Sequence, residues 1–354
     1  MARTKKIAVA MSGGVDSSLA ALLLKEKGYE VRGITMCLGV KDAPRGKARC
    51  CGPEAVEDAR RVCEKLAIPH HVMDYSSELE EQVISRFVSS YAAGTTPNPC
   101  IDCNRYLKFG TLLQRVRAMG FDYLATGHYA GVEKTGSGYR MKKAMDRRKD
   151  QTYFLYPIRR EDLGSVLFPL AQLTKEEVRI KAQAAGLPVA AKPGSQDICF
   201  VGRNEHGAFV ASRVTASGPG PITDRSGRIL GIHSGIVHYT IGQRGGLGIA
   251  SKTPLYVCAI DARENRIVVG ERKDLKARGL VAVDLNLLVW PWPETVFAKI
   301  RYRKEEFPCS VSREEDRVSV TFASEQEAVA PGQAVVFYDG DVVLGGGTIE
   351  AAVQ

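Results

Sequence analysis

The feature that most constrains this chain is a short string near its N-terminus. The β-rich run Lys6-Ile7-Ala8-Val9-Ala10 leads through Met11 into Ser12-Gly13-Gly14-Val15-Asp16-Ser17-Ser18. The apolar helical stretch Leu19 to Leu24 follows, and Gly28 stops it. Two adjacent glycines let the backbone turn sharply and bring several N–H groups against an anion, while the helix N-terminus adds partial positive charge. Ser12, Ser17 and Ser18 are further hydroxyl donors. The string lacks the lysine of G-x-x-x-x-G-K-[ST], so it is not built for γ-phosphoryl transfer of that kind, and it is not the G-x-G-x-x-G of a dinucleotide fold. The competing reading is a plain strand–turn–helix connection whose serines and aspartate cap the helix.

Further strand and helix patterns follow. Glu30 to Cys37 reads as strand, Pro53 to Ala67 as helix with Val56, Ala59, Val62, Cys63 and Leu66 on one face, and Pro69 to Asp74 as strand. Glu78 to Tyr91 reads as helix and Phe121 to Thr126 as strand, which predicts a parallel sheet covered on both faces. After about Val201 the character changes. Gly and Pro cluster in Ser217-Gly218-Pro219-Gly220-Pro221, and short Val/Ile-rich runs follow at Leu255 to Ile260, Arg266 to Gly270, Leu280 to Val289, Thr295 to Arg301 and Ala334 to Phe337. These predict antiparallel β structure. For 354 residues a prior of roughly 100–200 per domain gives two or three domains. The expected fold class is α/β: a parallel-sheet nucleotide-binding domain over 1–205, a small β-rich central domain over 206–272, and a C-terminal β-barrel over 273–354.

Composition sets the class of partner. Hydrophobic residues at 44% and charged residues at 25% exclude a disordered or collagen-like chain. No apolar run of about 18 residues occurs, so no membrane span is expected. Nine cysteines without a secretory signal point to a reducing, cytoplasmic setting where thiols do chemistry or sit in a core. Formal net charge is +9, yet Glu271 to Gln354 holds 10 basic against 14 acidic residues, leaving 39 against 26 in the remainder. Such a field favours a polyanionic partner. Lys142, Lys143, Arg147, Arg148 and Lys149 crowd one segment with only Asp146 opposing. Lys299, Arg301, Arg303 and Lys304 form a second stripe with Tyr302 interleaved, suited to phosphate contact and base stacking, unless it is merely a solvated hairpin face.

The cysteines divide into two sets. Thr96-Pro97-Asn98-Pro99-Cys100-Ile101-Asp102-Cys103-Asn104 reads as a loop between helices, its prolines holding an extended backbone that presents both thiols. Cys199 follows a turn in Ser195-Gln196-Asp197-Ile198-Cys199-Phe200. A lone C-x-x-C is open to three readings: redox pair, half a zinc site, or cluster ligands. Cys63 on an apolar helix face and Cys258 and Cys309 in β-like runs read as buried structural thiols, whereas Cys50 and Cys51 remain open between incidental and functional roles. His70 and His71 read as structural, and Trp290 and Trp292 as barrel packing.

The first string resembles the phosphate-loop signature of the ATP pyrophosphatase superfamily. T-P-N-P-x-x-x-C-N, T-G-H-Y at Thr126 to Tyr129, K-D-Q-x-Y-F-L at Lys149 to Leu155, S-Q-D-I-C-F, H-Y-T-I-G-Q-R-x-G-L at His238 to Leu247 and P-G-Q at Pro331 to Gln333 then occur in order. Together they make the chain similar, essentially end to end, to the bacterial tRNA-specific 2-thiouridylases. That resemblance implies an enzyme that uses ATP and Mg2+ to adenylate the 2-oxygen of the wobble uridine, releases pyrophosphate, and replaces the oxygen with sulfur, leaving AMP. It implies nucleotide contacts at Ala10, Met11, Ser12, Gly13, Gly14, Val15, Asp16, Ser17, Met36 and Gly127, with Asp16 helping to place the metal. Cys103 matches the nucleophile and Cys199 the persulfide carrier. His128, Lys149, Asp150, Gln151, Arg301, Tyr302 and Gln333 match tRNA-contacting positions. The implied partners are the tRNA anticodon stem-loop and a sulfur-donor protein, a cysteine desulfurase or relay, with the chain acting as a monomer.

One branch of that family carries Asp where this chain has Cys100. Cys100, Cys103 and Cys199 therefore offer an alternative sulfur route, three thiolates on a 4Fe-4S cluster with one iron open for hydrosulfide. A more distant alternative is a synthetase with the same loop acting on a small molecule, and a non-enzymatic one is an RNA-binding module with a structural metal.

Overall fold

The computed structural model describes residues 3–39, 52–194, 198–202, 205–214 and 218–354; Cys50, Cys51, Ser195, Gln196, Asp197 and Ser217 lie outside the described residues. The chain divides into two units, one of Met1–Val83, Cys100–Val201 and Asp341–Val343, the other of Ile84–Pro99, Gly202–Gly340 and Leu344–Gln354.

The first unit carries strands β1 (Lys6–Ala10), β2 (Glu30–Cys37), β3 (His70–Asp74), β4 (Tyr123–Thr126), β5 (Gly131–Thr135), β6 (Gly138–Lys142) and β7 (Val166–Leu167). Five form a parallel sheet in the order β3-β2-β1-β4-β7. Ile7, Ala8 and Val9 of β1 are fully buried, as befits a central strand covered on both faces. Helices α1 (Val15–Glu26) and α2 (Pro53–Lys65) share a core with β1, β2 and the helix Lys175–Ala184, built from Ile7, Val9, Leu19, Val62, Cys63 and Val178. Strands β5 and β6 pair as a hairpin, with Asp341–Val343 beside it through Val342 and Lys142.

The strand order places the site. From β1 the chain steps to β2 and β3 on one side, then returns to β4 on the other. In open α/β sheets ligands bind at the carboxyl ends of the strands where the order reverses. Here that point lies between Ala10, ending β1, and Thr126, ending β4, which stand opposite each other in the register.

The expectation of a loop through Thr96–Asn104 is corrected. Helix begins at Pro99, and Pro99–Asp102 continues into a widened helical stretch, Cys103–Leu112, with the N–H of Leu113 donating to the carbonyl of Lys108. Pro99 opens this helix rather than extending the backbone, because a proline in the first turn sacrifices no helical hydrogen bond.

The second unit contains a four-stranded sheet and a barrel. β8 (Gly220–Thr223), β9 (Ile229–His233), β10 (Tyr256–Asp261) and β11 (Arg266–Gly270) run in the order β10-β11-β8-β9, with only β11–β8 parallel. β12 (Lys276–Leu287), β13 (Thr295–Lys299), β14 (Phe307–Glu314), β15 (Arg317–Glu327), β16 (Ala334–Asp339) and β17 (Val342–Val353) close into a barrel by the β12–β17 pairing. Along β15 buried Val318, Val320 and Phe322 alternate with exposed neighbours, the two-residue period of a strand with one face inward. Trp292 packs on Phe337 with ring centroids 4.7 Å apart, while Trp290 stays half exposed under Arg313. Residues 84–99 join this unit, Phe87 and Tyr91 packing on Phe209 and His206. Among the described residues no helix is long and apolar enough to cross a membrane.

Candidate active site

The glycine turn is built for close approach. Gly13 has φ +68°, and a Cβ there would lie 2.3 Å from the carbonyl oxygen of Ala55. Gly127, just past β4, is pressed against the turn itself: its Cβ would lie 2.5 Å from the backbone nitrogen of Ser17. The exit of β4 therefore presses on the first turn of α1. The N-cap of α1 is Gly14, and no side chain caps this helix. That removes the reading in which the serines and aspartate merely cap it, and leaves the first N–H groups for a ligand.

The serines act differently from expectation. The Ser17 hydroxyl donates to the Gly14 carbonyl at 3.1 Å and accepts from the Ser12 N–H at 3.2 Å, and the buried Ser18 hydroxyl donates to the same carbonyl at 2.8 Å. Ser17 and Ser18 hence rigidify the turn, while Ser12 is exposed. Met11 is tied to β2 by its N–H to Ile34 at 2.8 Å and by its carbonyl, which accepts from Thr35 Oγ1 at 3.0 Å. Met36, one residue on, is buried opposite Met73. Ala10, Met11, Ser12, Gly13, Gly14, Val15, Asp16, Ser17 and Gly127 are thus gathered at the sheet's switch point.

Asp16 has partners that the sequence does not announce. Its carboxylate accepts from the Tyr129 hydroxyl at 2.9 Å and faces Lys175 Nζ at 2.5 and 2.6 Å. Burial, reinforced by the Asp16 charge, pushes the Tyr129 phenol up, so it stays protonated and donates.

His128 links this turn to the cysteine helix. Its ring packs 6.0 Å from Phe109 and 6.3 Å from Phe168, and Nδ1 lies 2.7 Å from Thr126 Oγ1. Burial, with Lys108 nearby, holds the imidazole well below its ordinary pKa, so it is neutral at physiological pH. Lys108 donates to Asn104 Oδ1 at 3.1 Å, and Asn104 Nδ2 donates to the Phe154 carbonyl at 2.9 Å. Cys103 precedes Asn104 and is half-buried, whereas Cys100, one turn earlier, is exposed. Gln151 brackets Tyr129, its Oε1 accepting from the Tyr129 N–H and its own N–H donating to the Tyr129 carbonyl. Asp150 is buried and accepts from the Ala144 N–H at 2.9 Å and Thr152 Oγ1 at 2.5 Å, so it shapes the loop that leaves Arg147, Arg148 and Lys149 exposed.

Cys199 belongs to the same unit, half-buried in the described stretch 198–202 beside buried Phe200 and Val201. Among the described residues no three His, Cys, Asp or Glu side chains converge on a single metal ion. Burial pushes Cys63 and Cys309 up to about 12, as expected of structural thiols, and Cys258 up to about 11, although Cys258 is half-buried rather than buried as its β-like run suggested. In the second unit Arg301 donates to the carbonyls of Ile241 and Ala328, and Lys299 stands over the Tyr302 ring. Gln333 Nε2 donates to the carbonyls of Thr96 and Pro97. Sequence reasoning missed Lys175 and Lys108; the only hint of the former is the Thr174-to-Glu177 helix-start pattern, realised as a capping box.

A parallel α/β sheet with an uncapped glycine turn at its switch point defines a nucleotide-binding protein of the HUP class, and the chain accordingly matches the tRNA methyl transferase HUP domain over residues 5–203. Residues 207–271 match the tRNA methyl transferase PRC-barrel domain and 278–349 the aminomethyltransferase β-barrel domain. The chain is 58% identical over 350 residues to tRNA-specific 2-thiouridylase MnmA 1 of Syntrophus aciditrophicus, covering 99% of this chain and 94% of that one. It is 48% identical over 355 residues to the enzyme of Moorella thermoacetica (98% and 99% covered) and 47% identical over 365 residues to that of Geotalea uraniireducens (99% and 96%). The chain belongs to the tRNA-specific 2-thiouridylase family.

Two predictions follow from the packing. Gly127→Ala forces a methyl group onto the α1 backbone and costs about 1–3 kcal/mol in chemical denaturation, whereas a Cβ at Gly14 meets only Ser12 Oγ at 3.5 Å, so Gly14→Ala gives up only the N-cap preference for glycine over alanine, about 1 kcal/mol or less, and loses nucleotide affinity as well. Equal destabilisation by both would contradict the close approach. His128 and His70 both have pKa values lowered by burial, so each binds its proton more weakly folded than unfolded. Their contribution to stability is present above the ordinary histidine value of 6.5 and is lost as pH falls through and below it. The melting temperature therefore drops from about pH 7.5 to about pH 5.5, and His128→Gln shallows that slope; an unchanged slope would show that His128 does not titrate this way.

Proposed function

We propose that the protein catalyses ATP-dependent 2-thiolation of the wobble uridine of tRNA, by adenylation of the uridine 2-oxygen followed by sulfur transfer. The chemistry requires that order. A uridine carbonyl is a poor electrophile and oxide a hopeless leaving group, so the oxygen must first be converted into the departing oxygen of AMP. The uridine oxygen attacks the α-phosphorus, the Pα–O bond to pyrophosphate breaks, and the glycine turn between β1 and α1 holds the leaving anion. Mg2+ would rest on Asp16 and the nucleotide's own oxygens, as Mg2+ with one carboxylate and substrate phosphates commonly does.

Sulfur then arrives on Cys199 as a persulfide supplied by a donor protein, a cysteine desulfurase or relay. The terminal sulfur attacks C2 and AMP leaves. The Cys103 thiolate attacks Cys199 Sγ, breaking the S–S bond, so that 2-thiouridine is released with a Cys103–Cys199 disulfide, and an external dithiol restores both thiols. The single observation that carries this reading is the packed joint from loop to thiol helix. Gly127 presses on Ser17, and the next residue, His128, packs on Phe109 of the helical stretch that begins at Cys103. A neutral imidazole there donates or accepts one hydrogen bond without adding charge beside a developing anion.

For the tRNA, the exposed cations Arg147, Arg148 and Lys149 would contact phosphates and Tyr302 would stack, with His128 and Gln151 near the target base. Asp150, Arg301 and Gln333 each spend side-chain atoms on the protein's own backbone or a neighbouring hydroxyl, so in this reading they shape the RNA surface as well as meet it. The cluster route on Cys100, Cys103 and Cys199 has no supporting observation among the described residues and is not carried forward.

The test separates the two half-reactions. Unmodified tRNA should trigger pyrophosphate release from ATP by wild type, and by Cys199→Ser at a comparable rate, while Cys103→Ser and Cys199→Ser both form no 2-thiouridine. Thiolation by Cys199→Ser, or tightly bound iron and acid-labile sulfide in anaerobically purified protein, would contradict the persulfide route.

A further inference from the structure

The loop Ser12–Ser18 contains no lysine, although the pyrophosphate it would release carries several negative charges. Backbone N–H groups and a helix N-terminus supply only partial charges. A full positive charge nevertheless stands at the turn, from far along the chain. Lys175 Nζ lies 2.5 and 2.6 Å from the two oxygens of Asp16, and 5.8 Å above the ring of Tyr129.

We propose that Lys175 is a phosphate-binding residue of the nucleotide site, the cation that the loop itself lacks, with Asp16 as its exchange partner. This rests on the reading above that the site takes ATP.

Two observations and one chemical argument support it. The lysine is held in place by more than its salt bridge. It opens the helix Lys175–Ala184, whose start is fixed by the reciprocal Thr174–Glu177 box, and its own N–H donates to Asp146 Oδ2 at 2.9 Å. Asp146 also accepts from the Arg148 N–H at 3.1 Å, so one carboxylate anchors both the basic loop and the lysine. The pair is also poorly solvated: the side chains of Lys175 and Asp16 are 16% and 31% exposed. Losing the partner of either charge is costly there, so each favours a replacement of the same sign. Finally, magnesium–triphosphate offers that replacement. The metal takes the Asp16 carboxylate, and the phosphate oxygens take the ammonium group as a compact point charge. The exchange swaps one ion pair for a metal–carboxylate contact and an ammonium–phosphate contact, with no covalent bond made or broken.

A purely structural salt bridge predicts something different. It would stabilise the α1–helix contact and leave anion affinity untouched. The discriminating measurement is calorimetric binding of inorganic pyrophosphate and of Mg-ATP to the full chain without tRNA. Lys175→Met should weaken both by about tenfold or more, and Lys175→Arg should recover most of the loss. Asp16→Asn, with EDTA present, should bind pyrophosphate more tightly than wild type, because it releases the lysine. Filter binding of tRNA to Lys175→Met should remain at the wild-type level. Wild-type anion affinity in Lys175→Met, or no tightening in Asp16→Asn, would overturn the proposal. Should Lys175→Met fail to fold, the Arg and Asn variants decide it in the same assay. Lys175-dependent pyrophosphate binding in a protein that thiolates no tRNA would keep this site and discard the substrate reading.

Discussion

The architecture of the first unit depends on one close approach. The chain leaving β4 crosses the first turn of α1 at Gly127, with no room for a side chain between them. That contact exists because β1 and β4 are neighbours at the point where strand order reverses, so the loops at their carboxyl ends must share the same space. Two parts of the site hang on these loops. The anion-binding turn belongs to one, and the residues after Gly127 belong to the other: His128 reaches toward the cysteine helix and Tyr129 toward Asp16.

Charge within this arrangement is arranged in compensating sets. Asp16 meets Lys175, the basic loop is pinned by Asp146 and Asp341, and the imidazole nearest the thiol helix is kept neutral by burial. An enzyme that handles a polyanionic nucleotide and a polyanionic RNA gains from keeping such cations in place without leaving them unpaired inside the fold. Burial also raises the thiols of Cys63, Cys258 and Cys309, although Cys258 is only half-buried, like Cys103 and Cys199, and Cys100 alone of these is exposed.

Much of this was legible in the sequence because it rests on local patterns. β1, β2 and β11 begin and end where alternation and turn residues place them, and the glycine turn falls between strand and helix as its composition requires. The helix through Cys100 and Cys103 was not legible, since Pro97 and Pro99 signal extended chain equally well and only tertiary packing of Phe109 and Leu112 chooses helix. Serine chemistry was misjudged for a related reason: a hydroxyl in the first turn of a helix can donate backward to a carbonyl, and Ser17 and Ser18 do. Lys175 was invisible because nothing in a sequence of 354 residues couples position 175 to position 16. The resemblance to the thiouridylases identified the family, yet it said nothing of which side chains support the turn.

The central claim is that uridine's own oxygen becomes the oxygen that AMP carries away. It can be followed atom by atom, using tRNA whose wobble uridine bears 18O at position 2, with ATP, a sulfur donor and the wild-type protein. Mass spectrometry of the nucleotide products should find one 18O in the phosphate of AMP for each 2-thiouridine formed. Unlabelled AMP accompanying thiolation, or ADP and inorganic phosphate in its place, would contradict the account.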